Sequence, residues 1–389
     1  MKNRNLARFG LGDDDVQRKF QPSKALRKMT NRPGFPIRIG YIPVTDCVPL
    51  IAAQRLDLFA RHGLNVSLHC EVGWASIREK LIHGELDATQ AVAGMAVALP
   101  LGLQGPPVRV ITPFIFSLQG NAITLSRSLW NKGVRDASSL KKLIRSRRDQ
   151  LLTFGIVSLF SSQNFMLRRW LQQGGIDPDH DVRMLAFPPG LMAENLADGL
   201  LDGFCAGEPW GSQAVADGAG WCPAVSQDLL PGHPEKVLII HERLNEEHPD
   251  QVRELCAALS ESCEFCEVKE NRPTLVKWLV ESGSFDVSAS VLRRSLIGPF
   301  DDGMGKMRES ESFHIFAHRN SNQPTAERSA WVADECSHHG LLPGPMRSLA
   351  MRELSRSWTD RIALSLPAKP RKLRRPRSVS SQKNSTTIP

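Results

Sequence analysis

Two kinds of short apolar segment alternate along this chain, and that alternation limits what it can fold into. In Ile37-Arg-Ile-Gly-Tyr-Ile-Pro43 apolar side chains recur at every second position, the period of a strand. Asp46 stands as a helix N-cap before a segment that runs to about Arg61. A strand over 63–69, a helix over 75–83, a strand over 86–91, a helix over 94–102 and a strand over 108–115 continue the series. Strands separated by helices pair in parallel, because the chain must cross back over the sheet between them. The pattern therefore predicts a mainly parallel, twisted sheet covered by helices.

The series then repeats. A crossing strand at 121–125 and a basic helix at 138–146 lead to a strand at 151–157 and a helix at 162–173, closed by Gly174-Gly175. A strand at 182–187, a helix at 190–198, a strand at 202–207 and a helix at 211–217 follow, then a strand at 237–240 and a helix at 248–270. A chain that passes out and back in this way predicts an α/β protein of two lobes with a ligand cleft between them. Beyond about 285 the pattern weakens, with a loop at Asp301-Asp302-Gly303 and a helix over 326–340. The expected division is a disordered basic arm at 1–35, lobe I at 36–123 plus 232–345, lobe II at 124–231, and a C-terminal extension with a disordered basic tail at 346–389.

Charge excludes one class of function. The net charge of +8 over 389 residues is concentrated at the ends. Residues 1–35 hold nine Lys and Arg against three Asp, and 365–389 hold seven with no acid, so the body between them is near −5. A basic groove for nucleic acid across the body is not supported, and no direct nucleic-acid binding is expected. The tail at 369–377 lacks interleaved aromatics and reads as a solubilising segment. No apolar run approaches the roughly 20 residues that span a bilayer. The N-terminal residues lack the apolar core of a secretory signal, so a cytoplasmic location is expected, with the eight cysteines as reduced thiols.

Candidate chemistry is sparse. Residues 71–103 place one helix start behind Trp74 and another behind Ala93-Gly94-Met95. Two such starts would direct unpaired N–H groups into one region, which suits a small anion. Cys256, Cys263 and Cys266 lack the second pair that a zinc site needs, and a shared apolar helical face accounts for them; no metal or cofactor is expected. Glu208-Pro-Trp210 reads as a structural turn in preference to a carboxylate at a cleft edge. With no nucleophile elbow, Walker A loop, G-x-G-x-x-G or H-E-x-x-H, the chain is not expected to be an enzyme. Alone, Trp74 would be core and Lys236 an exposed lysine.

Taken together, several segments carry a resemblance. They are Ile42-Pro-Val-Thr-Asp46, Gly73-Trp-Ala-Ser-Ile-Arg78, Gly84-Glu-Leu-Asp-Ala88, Ala93-Gly-Met95 and Gly120-Asn-Ala-Ile-Thr124. Residues 160–167, Asp202-Gly-Phe-Cys-Ala-Gly-Glu-Pro-Trp210 and His233-Pro-Glu-Lys-Val237 complete the set. Over about 36–345 the chain resembles the nitrate/bicarbonate-binding family of NrtA, CmpA and NasS. The resemblance implies a type II periplasmic-binding-protein fold whose two α/β lobes close on an oxyanion. It implies Trp74 as the aromatic beside a planar anion, Asn121 as an amide donor and Lys236 as the cation that neutralises nitrate. Bicarbonate binders carry an acid at the Lys236 position and recruit a cation, so the ligand implied is nitrate or nitrite. Gln163 stands where the family usually has a histidine. An amide can donate but cannot become cationic, which implies weaker pH dependence.

In role the chain resembles the cytoplasmic sensor of the NasS type. Such a sensor holds a response-regulator-like RNA-binding antiterminator of the NasT type and releases it when the anion binds. The alternative is the solute-binding component of a nitrate/nitrite ABC importer. A pyrimidine-precursor enzyme, more distantly similar, lacks support because no iron-binding His/Cys cluster is evident.

Overall fold

The computed structural model describes residues 35–146, 151–308, 313–318, 320–342, 344 and 346–358. The expected basic arm, apart from Phe35, and the expected basic tail lie outside the described residues.

Strands β1 (Pro36–Tyr41), β2 (Asn65–Cys70) and β3 (Ala88–Val92) are parallel, with Ile39 beside both Leu68 and Ala88. The chain leaves this sheet along β4 (Val110–Gln119) and continues as β5 (Asn121–Ser126) in a second sheet with β6 (Leu152–Ile156), β7 (Val182–Ala186), β8 (Gly203–Gly207) and β9 (Gly220–Val225). It returns along β10 (Pro234–His241), which lies between β3 and β4 and runs against both. A short hairpin, β11 (Phe300–Asp301) with β12 (Met307–Arg308), precedes β13 (His314–Ile315) on the outer side of β4. The orders are β13-β4-β10-β3-β1-β2 and β7-β6-β8-β5-β9.

Both sheets are therefore mixed, where a mainly parallel one was expected. Crossing causes the difference. A strand that arrives from the other lobe enters at the carboxyl ends of the resident strands, so it must run against them. β10 does this in the first sheet and β5 in the second, antiparallel to β8 and β9. As a result the first residues of β5 and β10 lie beside the carboxyl ends of β3 and β8. In open α/β sheets those ends are where ligands bind.

The crossing falls at Gly120, whose φ is +98°; a Cβ there would meet His314 Nδ1 at 2.4 Å. Residues 121–123 were expected in lobe I, but Asn121 already pairs with Gly207, so they belong to the second sheet. Asp46 is not a helix cap. It sits inside the 3-10 turn Thr45–Cys47, and its buried carboxylate faces Gln90 and Lys236. The helix expected to reach Arg61 is broken at Asp57, whose φ is +57°. The helix expected over 94–102 shortens to Met95–Ala98, because Gly102 and Gly105, both with positive φ, lead into Pro106-Pro107.

One apolar core packs the outer face of the first sheet against the helices Val48–Arg55, Pro249–Glu267 and Arg272–Glu281. Cys256, Cys263 and Cys266 lie fully buried in it as free thiols, and burial pushes each one up. A second core runs without interruption from Trp74 and Met95 in one lobe to Phe160, Phe165 and Trp210 in the other. The cleft is thus closed. Among the described residues no helix is long and apolar enough to cross a membrane.

Candidate functional site

The site is built where β10 begins. Neighbouring side chains of a regular strand point to opposite faces, so Glu235 and Lys236 would not meet. The register of β10 against β4 shifts on both sides of Lys236, and such an irregularity re-aims side chains. Lys236 Nζ donates to Glu235 Oε1 at 2.5 Å and to Asp46 Oδ2 at 2.9 Å. Gln90, on β3, donates its amide to Asp46 Oδ1 at 2.8 Å.

The second lobe supplies further donors. Asn121 Nδ2 donates to Glu235 Oε2 at 2.7 Å, and Gln163 Nε2 donates to Glu235 Oε1 at 2.6 Å and to Asn121 Oδ1 at 2.7 Å. Ser162 Oγ also donates to Glu235 Oε2. Ser162 and Gln163 are placed by the helix Ser162–Gln173, whose N-cap Ser161 accepts from Asn164 N–H at 3.2 Å. Their carboxylate partner therefore lies at the positive end of that helix, where negative charge is favoured.

His233 completes the group. Its Nε2 faces Glu235 Oε2 at 2.9 Å and its Nδ1 faces the Leu230 carbonyl at 2.6 Å. The ring thus links the Glu235 carboxylate to the backbone at Leu230. Lys236 supplies the cationic charge of the cluster, which Gln163 cannot. Burial alone would raise the Glu235 carboxyl, but Lys236 and His233 beside it hold it well below the usual range. Asp46 moves the other way: burial raises it, and its share of Lys236 is too small to offset that. Lys236 is buried too, yet the two carboxylates raise its affinity for its proton.

The four residues singled out in the sequence, Trp74, Asn121, Gln163 and Lys236, meet in this cluster. Lys236 Nζ lies 5.7 Å from the Trp74 ring centroid, and the buried Trp74 indole N–H has no acceptor among the described residues. The helix starts behind Trp74 and Gly94 do not form the cradle expected of them. The helix at Met95 is a single turn, and a Cβ on Gly94 would meet the Phe160 carbonyl at 2.1 Å. It is the helix beginning at Ser162 whose first turn meets the cluster.

Asp46, Gln90, Ser162, His233 and Glu235 were missed as site residues. For Glu235 a signal existed: an acid directly before a lysine, opening the apolar run 237–240.

Beside the cluster, Glu208-Pro209-Trp210 does form a turn, and it fastens the lobes. Thr45 donates through its N–H and its Oγ1 to the Glu208 carbonyl at 2.6 and 2.9 Å, and Trp210 Nε1 donates to the Pro43 carbonyl at 3.0 Å. The Glu208 carboxyl is fully buried, and burial pushes it up to about 7.

Comparison with known proteins gives this geometry a context. The model of the NMT1-like family matches residues 31–280. The nitrate import ATP-binding protein NrtC of Synechocystis sp. is 36% identical over 310 residues, which cover 79% of this chain and 46% of that protein. The chain thus spans about half the length of that relative. The bicarbonate-binding protein CmpA of Synechococcus sp. is 30% identical over 277 residues, covering 69% of this chain and 62% of the relative. The crystal structure of the periplasmic nitrate-binding protein NrtA from Synechocystis PCC 6803 superimposes with a TM-score of 0.78 at 24% identity, covering 87% of this chain and 91% of that one. The fold is that of the periplasmic binding proteins, and the chain belongs to the NMT1-like family.

Proposed function

We propose that this chain binds nitrate or nitrite between its lobes and acts as an anion sensor. One observation carries the reading. Five donors from both lobes and from the segment that joins them converge on a single planar, monovalent oxygen pair, now the Glu235 carboxylate. A donor set that satisfies a carboxylate suits another flat oxyanion of the same charge. Lys236 favours nitrate or nitrite, since bicarbonate binders of the family carry an acid there. Contacts from both lobes make binding depend on how the lobes are arranged, which a sensor requires.

The sensor reading places the chain in the cytoplasm, holding an RNA-binding antiterminator of the NasT type and releasing it when the anion binds. Pull-down of that antiterminator by the full chain, with and without nitrate and nitrite, tests it. Release on adding anion is expected; a complex that persists at saturating anion refutes the sensor role. Calorimetry with nitrate, nitrite and bicarbonate tests the ligand, and equal binding of bicarbonate would overturn the assignment of Lys236. The second reading, the solute-binding part of a nitrate/nitrite importer, is favoured by the transport names of the relatives. Recovery of the protein with the periplasm or the membrane would support it.

A further inference from the structure

The donors that would greet an incoming anion are already committed to a carboxylate of the chain's own. Glu235 Oε1 accepts from Gln163 and Lys236, and Oε2 accepts from Asn121, Ser162 and His233. We propose that Glu235 is a tethered competitor for the oxyanion position, and that the anion binds by displacing this carboxylate, so that Glu235 sets the affinity of the site. The inference rests on the oxyanion-binding reading above.

Charge argues for exchange over addition. With Glu235 in place, the one Lys236 ammonium already faces two carboxyl groups, those of Asp46 and Glu235, inside the closed core. An anion added beside Glu235 would bring further negative charge to that same ammonium in a buried site, which is strongly disfavoured. An anion that takes the place of Glu235 keeps the balance. Glu235 stands at the start of β10 beside a register shift and is fully buried between the lobes, so the exchange takes place when the lobes part.

The donor count points the same way. A carboxylate offers two oxygens, and the buried indole N–H of Trp74, whose ring lies 5.7 Å from Lys236 Nζ, has no acceptor among the described residues. Nitrate offers a third oxygen. A sensor whose pocket holds its own carboxylate responds only once free anion outcompetes that group, so the tether raises the threshold of response.

The test uses the full chain and three variants, Glu235→Gln, Glu235→Asp and Glu235→Ala, with sodium nitrate and sodium formate as probes in calorimetry at constant ionic strength. Thermal melts establish that each variant is folded. Glu235→Gln keeps the shape and removes the competing charge, and nitrate should bind it at least tenfold more tightly than the native chain. Glu235→Asp keeps the charge on an arm one methylene shorter and should also bind nitrate more tightly, by severalfold. Formate should bind Glu235→Ala with one-to-one stoichiometry and give no heat with the native chain. Native nitrate affinity that a folded Gln or Asp variant merely equals or weakens overturns the competitor and leaves the oxyanion reading standing. Failure of the native chain and all three variants to bind either anion overturns the oxyanion reading and the competitor with it.

Discussion

Lys236 carries the electrostatics of the cluster. It is the ammonium that two buried carboxylates share, and removing one partner of a buried ion pair costs about 3–5 kcal/mol, because it leaves charge without a counterion. Lys236→Met should therefore lower unfolding stability by that order at pH 7 in urea titration. A change below about 1 kcal/mol would show that Asp46 and Glu235 are neutralised in some other way. Glu208 gives a residue-scale prediction of pH dependence. Its carboxyl holds its proton up to about 7 in the folded chain and up to the ordinary 4.5 when unfolded. Between those values the folded state binds more protons, so this contribution is full below 4.5 and is lost as pH rises to 7. The loss is on the order of 3 kcal/mol. Glu208→Gln removes it, so the variant should gain stability on the native chain between pH 5 and pH 8, read from paired melts. A native-to-variant difference that stays flat across that range would refute the burial argument.

At the scale of elements, the site depends on how closely the two lobes approach. The single-turn helix at Met95 meets the second lobe through Gly94, where even a methyl group would strike the Phe160 carbonyl. A backbone atom cannot move aside as a flexible side chain can, so Gly94→Ala must push the lobes apart. Small-angle scattering should show a larger radius of gyration, and nitrate affinity should fall at least tenfold as the donors of the two lobes separate. An unchanged radius would mean that the helix yields instead. Element types were largely legible in the sequence. The helix expected over 162–173 keeps those limits, because Gly174-Gly175 end it, and the structure adds a cap at Ser161. The helix drawn to Arg61 was misjudged because apolar period says nothing of a left-handed residue at Asp57. Asp46 was misread for a related reason: capping and ion pairing suit the same residue type, and only its tertiary partner, Lys236, distinguishes them.

At the scale of the whole molecule, the proposed binding is coupled to how the lobes are arranged, because its donors come from both. An anion that binds only the folded chain stabilises it by about 2.7 kcal/mol at a hundred times its dissociation constant. Nitrate and nitrite should each raise the melting temperature, in step with the logarithm of their concentration, and sodium chloride at equal ionic strength should not. Equal shifts with chloride would mean general screening with no specific site. The C-terminal helices share in closure. Arg169 in the second lobe pairs with Glu335 at 2.6 Å, and Trp331, on the same helix as Glu335, packs on His233 with ring centroids 5.6 Å apart. A further helix, Met346–Ser357, follows in sequence, and directly after it Trp358 bridges to Thr112 of the first sheet. The last helices thus tie both lobes behind the cluster.

By itself the sequence determined the alternation of strands and helices, the two passes that make two lobes, and four polar or aromatic residues that meet at one point. Those properties are local, written in period, caps and turns, or carried by short segments similar to a known family. Tertiary structure alone decided the direction of the crossing strands, the lobe to which residues 121–123 belong, and above all the place of Glu235. A strand pattern assigns Glu235 and Lys236 to opposite faces. Only the shifted register of β10, fixed by pairing with strands more than a hundred residues earlier in the chain, turns both into the same buried cluster.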